Sequence, residues 1–455
     1  ISSLTDEAIT EGMANLLPCD RFDNLFLAAD SRNRADWLLG VNSSHAICKA
    51  VGFGNNSLGR VQPPVLAEIC RRYRERENHM PADSWPVFIS LCKNDRILKM
   101  RHVDDLVARR EALALYEDCK AAKNARITAV RKRTEEIGAP ALYNLAELQK
   151  DANRYHGLTA IQVQEIAQSL YEKRLISYPR TSSRLLPGDV YDTLPPVMEK
   201  MLSRKEFRQY AGMVDLAAPQ DSIGAQDTME HHAIIITGIQ PGKLGREEMQ
   251  VYTLIVGRVL ETFMPPCKVE YTTVDAVCAA RKFRIRTYRI LEKGWLGIFE
   301  REHIVAKGCM PCPMLPEFFQ EEILPVAGCS LIHKKSLPVS PYTDEELVDY
   351  MDKAGLGTVS TRTNILRTLL ERKYIRYSGK YVVPTPKGLF LYETVRGMKV
   401  ADASLTSGWE TELARIERGE LSQEEFLDGV LETVNEVTGE IFRNHPVEKR
   451  PQGTI

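Results

Sequence analysis

Leu175-Ile176-Ser177-Tyr178-Pro179-Arg180-Thr181-Ser182-Ser183-Arg184 places a phenol two residues ahead of one guanidinium and six ahead of another, just past a helical stretch. The helix is read from its own signals. Thr159 and Gln162 have the spacing of a capping box, and Val163, Ile166, Ala167, Leu170 and Tyr171 recur as one buried face that ends near Lys173 or Arg174. Pro179 disfavours helical backbone at Tyr178, so the phenol projects from an extended or turning segment. A tyrosine with an ordinary pKa of about 10 is a poor nucleophile while protonated, and needs cations and a proton acceptor beside it. Arg180 and Arg184 are fork-shaped donors suited to phosphate oxygens. The stretch therefore reads as a phenol set to attack a phosphodiester. Any one of the 17 tyrosines taken alone is a packing residue; only the whole string carries the reading.

A chain of 455 residues, 44% apolar and 27% charged, can build two to four ordinary domains. Its formal net charge of −1 supplies no global positive field, so affinity for nucleic acid must come from cations clustered on a groove. The opening Ile1-Ser-Ser-Leu-Thr-Asp-Glu7 has no Met, no basic leader and no apolar core of a signal, and no run approaches the ~18 apolar residues of a membrane span. A cytoplasmic chain truncated at its start is the expectation. Ten cysteines without a framework of spacings imply reduced thiols. Cys309-Met-Pro-Cys312 has zinc-like spacing, but no second pair follows, so a loop with incidental cysteines is preferred and no metal ligand is assigned.

The pattern of elements predicts a multidomain α+β chain. Residues 1–83 read as the first part of a helical base, with Asp30 to Asn42 on one helix and Ser57-Leu-Gly-Arg60-Val-Gln62-Pro-Pro opening another, the prolines suiting its first turn. Arg71, Arg72, Arg74 and Arg76 are spread around that helix as a solvated face. Residues 84–138 form the first part of a β-rich support, closing in a charged stretch from Lys120 to Arg133. A helical domain with Tyr178 occupies 139–264, and the support resumes over 265–338, its clearest strands at Val269–Val277 and Phe283–Ile290. Over 339–444 a capping box at Thr343 and Glu346, a stop at Gly355, a second helix with Ile365, Leu366, Leu369 and Leu370 inward, and strands about the Ser378-Gly379 turn make a winged-helix pattern or a helical core with a hairpin cap. Residues 445–455 are a polar tail.

Several segments, in order, resemble the type IA DNA topoisomerases, and in particular their topoisomerase III-like members. Tyr178-Pro-Arg-Thr is similar to the family's nucleophile motif, although Ser182 stands where Asp is common. Ser57-Leu-Gly-Arg-Val-Gln62, His231-His-Ala-Ile-Ile-Ile-Thr237, Gly355-Leu-Gly-Thr-Val-Ser-Thr-Arg362 and Leu405-Thr-Ser-Gly-Trp-Glu410 resemble further family stretches, and Ile1 to Ile9 looks like the segment after the family's Toprim domain. The resemblance implies a gate-like ring segment with helical domains, a β-rich support and a winged-helix-like region. It implies transient cleavage of single-stranded DNA through a 5′-phosphotyrosyl link, strand passage and religation without ATP. Tyr178, Arg180 and His231 would be catalytic, with His232 a packing residue. Ser57, Arg60 and Gln62 would bind DNA, with Arg34, Asn42, Arg184 and Arg362 as further candidates. The family's magnesium and catalytic Glu belong to Toprim, and no Asp-x-Asp occurs in this chain. The expectation is a monomer that binds single-stranded DNA, has no membrane partner, binds no metal itself and cleaves weakly unless a Toprim domain is supplied. The competing readings are a non-catalytic winged-helix DNA-binding protein and a tyrosine recombinase, whose dispersed Arg, Lys and His set around a C-terminal tyrosine is absent.

Overall fold

The computed structural model describes residues 2–51, 56–205, 207–215 and 231–445, so the expected polar tail lies, from residue 446 on, outside the described residues. Three helices open the chain: α1 (Asp6–Ala14), α2 (Asp23–Val51) and α3 (Gln62–Glu77). Pro63 and Pro64 sit in the first turn of α3, where a missing N–H leaves no intrahelical bond unmade. The α3 arginines do more than meet solvent: Arg72 reaches Glu346 at 3.4 Å and lies over the Tyr342 ring, and Arg74 reaches Glu393 at 3.4 Å.

The chain enters the β-rich support through β1 (Asp83–Ser84), β2 (Val87–Lys93), β3 (Arg96–His102), α4 (Arg109–Ala121) and β4 (Asn124–Ile137). Helices α5 (Leu145–His156), α6 (Ala160–Glu172), α7 (Gly188–Asp192), α8 (Leu194–Leu202) and α9 (Arg246–Thr262) follow. The support resumes with β5 (Cys267–Cys278), β6 (Arg281–Glu292), α10 (Leu296–Phe299), α11 (Glu302–Ala306), β7 (Met310–Pro311), β8 (Ile323–Leu331) and β9 (Lys334–Lys335). Strands pair in the order β3-β2-β8-β4-β5-β6, and β6 pairs back to β3, so the antiparallel sheet closes into a barrel with no free edge among those six strands. Ile89, Met100, Ile127, Val274 and Phe283 fill it, and Ala112, Leu115 and Cys119 of α4 pack on the same core.

The charged stretch ending at Arg133 is largely strand β4, the longest among the described residues. Ala125 and Ile127 face inward, while Arg126, Arg131 and Arg133 pair with Glu321, Asp275 and Glu135. Ion pairs to the partner strand, the neighbouring turn and along β4 itself make a charged sequence a good strand once it has partners.

Residues after β9 return to the base as β10 (Tyr342–Thr343), α12 (Asp344–Lys353), α13 (Arg362–Glu371), β11 (Ile375–Ser378), β12 (Tyr381–Pro384), α14 (Pro386–Val395), α15 (Ala403–Glu417) and α16 (Gln423–Asn444). Both bonds of the Thr343–Glu346 capping box form, Gly355 turns the chain at φ +64°, and β10-β12-β11 make the wing. Helices α15 and α16 pack on α2, so Leu39, Ile47, Leu66, Trp409, Val430 and Val437 share one core built from both ends of the chain. The paired strands β1 and β9 mark where the chain leaves that base and re-enters it.

Candidate active site and nucleic-acid cleft

Helix α6 begins with both bonds of the Thr159–Gln162 capping box and ends at Glu172, after which Arg174 adopts a left-handed φ of 62° and sends the chain into the Tyr178 segment. That segment is zipped to a distant one. Ile176 bridges Ile236, and Tyr143 bridges Ile234. The Ser177 N–H donates to the Ile235 carbonyl at 2.9 Å, while the Ser177 hydroxyl donates to the Ala233 carbonyl at 3.1 Å and accepts from the Ile235 N–H at 2.9 Å. Thr181 Oγ1 then donates to the His231 carbonyl at 2.9 Å.

These bonds bring the Tyr178 ring to 4.4 Å from the His231 imidazole, centroid to centroid, with the planes tilted by 47°. Tyr171 packs edge-on against Tyr178 at 5.4 Å, and Tyr178 itself is half-buried. Ser2 closes the site: its carbonyl accepts from the Tyr178 N–H at 2.8 Å, and its Oγ lies 3.4 Å from His231 Nδ1. Arg180 Nε is buried without a hydrogen-bond partner among the described residues, a donor held ready for an anion. His232 is buried, with Nδ1 2.7 Å from the Ala233 carbonyl, and burial lowers its pKa, so it is a structural donor. Arg184 differs from its expected role. Its Nε and Nη2 donate to the carbonyls of Leu142 and Ala141 at 3.2 and 3.1 Å, which pins backbone instead of leaving a fork for phosphate.

A second site lies in the base, a cleft of about 490 Å³ between α2, the segment entering α3, the segment entering α13, and α15. Arg60 is its buried centre, only 5% exposed. Arg60 Nε donates to Asp36 at 2.7 Å, Nη2 meets Glu410 at 2.9 Å, and Nη1 donates to the Thr406 carbonyl at 3.4 Å. Arg32 grips the other Glu410 oxygen at 2.6 Å. Burial raises the Glu410 carboxyl, but Arg32 and Arg60 outweigh it and hold the group below the ordinary carboxylate value. Ser57 Oγ, Gln62 Oε1 and Arg32 Nε line the cleft and are buried without partners among the described residues. Helices α3 and α13 both begin at it, neither with a side-chain cap bond, and helix N-termini favour anions. The Ser57 hydroxyl, the Arg32 guanidinium, two helix starts and a neutralised carboxylate pair suit a phosphodiester backbone.

The remaining candidates fall elsewhere. Arg34 is exposed and paired with Asp30 at 2.7 Å, and Asn42 is exposed with Nδ2 donating to the Leu38 carbonyl. The strip of α2 that lines the cleft is Arg32, Asp36, Gly40 and Ser44; a shift of two residues turns a side chain by about 200°. Arg34 and Asn42 are therefore corrected to the outer surface. Arg362 is buried at the start of α13, bound to Asp352 at 2.7 Å, while the neighbouring Thr363 accepts from Gln149 of α5 at 3.1 Å and joins the base to the tyrosine-bearing helices. Arg32, Asp36, Thr358, Thr361 and Glu410 were not among the sequence candidates. The four-residue spacing of Arg32, Asp36, Gly40 and Ser44 was the signal that could have found the first two.

All ten cysteines are free thiols. Among the described residues no group of three or more His, Cys, Asp or Glu side chains is placed to hold a metal ion. Among those residues, too, no helix is long and apolar enough to cross a membrane.

A phenol beside an imidazole and a cleft for a phosphodiester backbone are the features that relatedness bears on. The family described as DNA topoisomerase matches residues 20–428, and the chain belongs to this type IA topoisomerase family. It is 29% identical over 97% of its length to DNA topoisomerase 3 of Bacillus licheniformis and 29% identical over 94% of its length to DNA topoisomerase 1 of Methanocaldococcus jannaschii. The chain spans 64% and 55% of those relatives. Full-length topoisomerase I from Thermotoga maritima shares the fold, with a TM-score of 0.78 over 98% of this chain and 72% of that one at 20% identity.

Proposed function

We propose that this chain is the nucleophile-bearing and single-strand-binding portion of a topoisomerase III-like type IA enzyme. The observation that carries the reading is the contact of Tyr178 with His231, made by residues that only tertiary pairing brings together. Tyr178 Oη attacks a phosphorus of a single DNA strand, the phosphorus–3′ oxygen bond breaks, and the 5′ phosphate stays on the tyrosine. Arg180 steadies the non-bridging oxygens, and His231 takes up or returns the phenolic proton. Exchanging one phosphodiester for another is close to thermoneutral, so the 3′ hydroxyl can reverse the step after another strand has passed, with no nucleotide consumed. The departing 3′ oxygen needs an acid to protonate it or a metal to stabilise its charge. We assign that role to a Toprim-type acidic domain acting together with these residues.

The duplex-reading alternative is disfavoured by packing. Helix α13, which a winged helix would present to a groove, lies against α6 and α3. The test is incubation with labelled single-stranded oligonucleotide and magnesium, with and without a separately supplied Toprim domain. Binding alone in the first case and a Tyr178-dependent covalent adduct in the second are expected. Robust adduct without the added domain refutes the requirement for it; duplex preference with no adduct in either case refutes the enzyme reading.

A further inference from the structure

The Arg60 cleft offers polar groups suited to phosphates, with the carboxylates of Asp36 and Glu410 engaged by arginine. Arginine, serine, threonine and glutamine groups line it beside Leu58, Val61 and Ile365, and no aromatic side chain does. A groove that holds an unpaired strand without regard to sequence combines such a backbone track with rings on which bases stack. The missing ring stands beside the track. Trp37 directly follows Asp36 and precedes Gly40 by one helical turn, both of them cleft residues. It is 66% exposed, whereas Trp295 and Trp409 are buried and Trp85 is stacked on His333 at 4.1 Å. Nothing in the fold of the described residues accounts for leaving the largest apolar side chain of the base in water at that position.

We infer that Trp37 is a stacking platform for an unpaired nucleobase, carrying the strand out of the Arg60 cleft along α2. The inference rests on the reading of that cleft as a single-strand track. It adds an element that the sequence motifs did not assign: affinity for the base as distinct from the phosphate. Continuity with the cleft favours nucleic acid as the occupant over a second copy of the chain or another protein.

The experiment titrates the full chain with an unstructured thymidine oligomer and with an abasic oligomer of equal length, following tryptophan emission and the anisotropy of the labelled strand. Thymidine should quench the emission. Trp37→Ala should remove that quench and raise the Kd for thymidine by about 5- to 100-fold. Trp37→Phe should recover most of the affinity without the quench. The abasic strand should bind the wild-type chain and Trp37→Ala alike, which also shows that the variant is folded. Equal thymidine affinity in both proteins with unmoved emission overturns the inference while leaving the track intact. If neither oligomer binds the wild-type chain, the proposed function itself fails. If sedimentation shows Trp37→Ala dissolving a dimer while thymidine affinity is unchanged, the face is a protein contact and the inference falls.

Discussion

The Tyr178 site and the Arg60 cleft are built on opposite plans. At Tyr178 the positioning is done by backbone bonds and a serine hydroxyl, so the segment is held by its main chain, and Arg180 Nε has no hydrogen-bond partner among the described residues. At Arg60 the positioning is done by the charged side chains themselves, and the guanidinium is occupied by Asp36, Glu410 and Thr406. A residue can be essential to a binding site by shaping it without presenting its charge to the ligand. Arg60, taken from sequence as a DNA contact, acts first as the rivet of the cleft.

The sharpest way to test the contrast is to remove chemistry from one site and architecture from the other. Tyr178→Phe, with a Toprim domain supplied, should reduce covalent adduct on a labelled strand to background while the Kd for that strand stays within about twofold. A surviving adduct would break the comparison at its first term. Arg60→Ala should act on the fold: it takes the guanidinium from Asp36 and leaves Glu410 to Arg32 alone, and since both carboxylates are partly exposed and can rehydrate, we expect about 2–3 kcal/mol lost in urea unfolding together with weakened strand binding. Unchanged stability would mean that the ion pairs do not hold the cleft.

The two regions should also separate by pH. In the tyrosine-bearing helices, burial pushes the Glu261 carboxyl up to about 7 although Arg301 and Arg258 beside it act in the other direction. The folded state then takes a proton that the unfolded chain does not, so stability rises as pH falls from above 7 toward the unfolded carboxylate value of about 4.3, by roughly 2–3 kcal/mol. Glu410 has the opposite sign. Its depressed folded value contributes stability above about pH 4.3, which is lost as pH falls further through that folded value. Unfolding of Glu261→Gln and Glu410→Gln across this range should flatten the first response and the second, respectively; two identical profiles would remove the distinction. The smallest effect is reserved for the outer face of α2: Arg34→Ala and Asn42→Ala should change strand affinity by less than about 0.5 kcal/mol, where Arg32→Ala changes it by more. Equal losses would return Arg34 and Asn42 to the track.

What could be read from the chain was local or repeated in order. Both capping boxes join a residue to one three positions on, and both formed as the spacing implied. The Gly355 stop and the turn at Gly379, each at positive φ, are equally short-range. The charged stretch of strand β4 was given no element of its own, because nothing local shows what pairs with its charges until Glu321 and Asp275 are known. The face of α2 was misjudged for a related reason: which side of a helix 29 residues long is buried depends on α15 and α16, supplied from the far end of the chain.

Sequence alone determined the nucleophile candidate, the family and the run of elements, because those rest on neighbours a few bonds apart or on order along the chain. Tertiary structure alone decided that His231 meets Tyr178, that Arg184 pins backbone, and that Arg60 is shared between Asp36 and Glu410. Each of these is a contact between residues far apart in sequence, and its geometry exists only once the zipped loops and the two-ended helical core have formed.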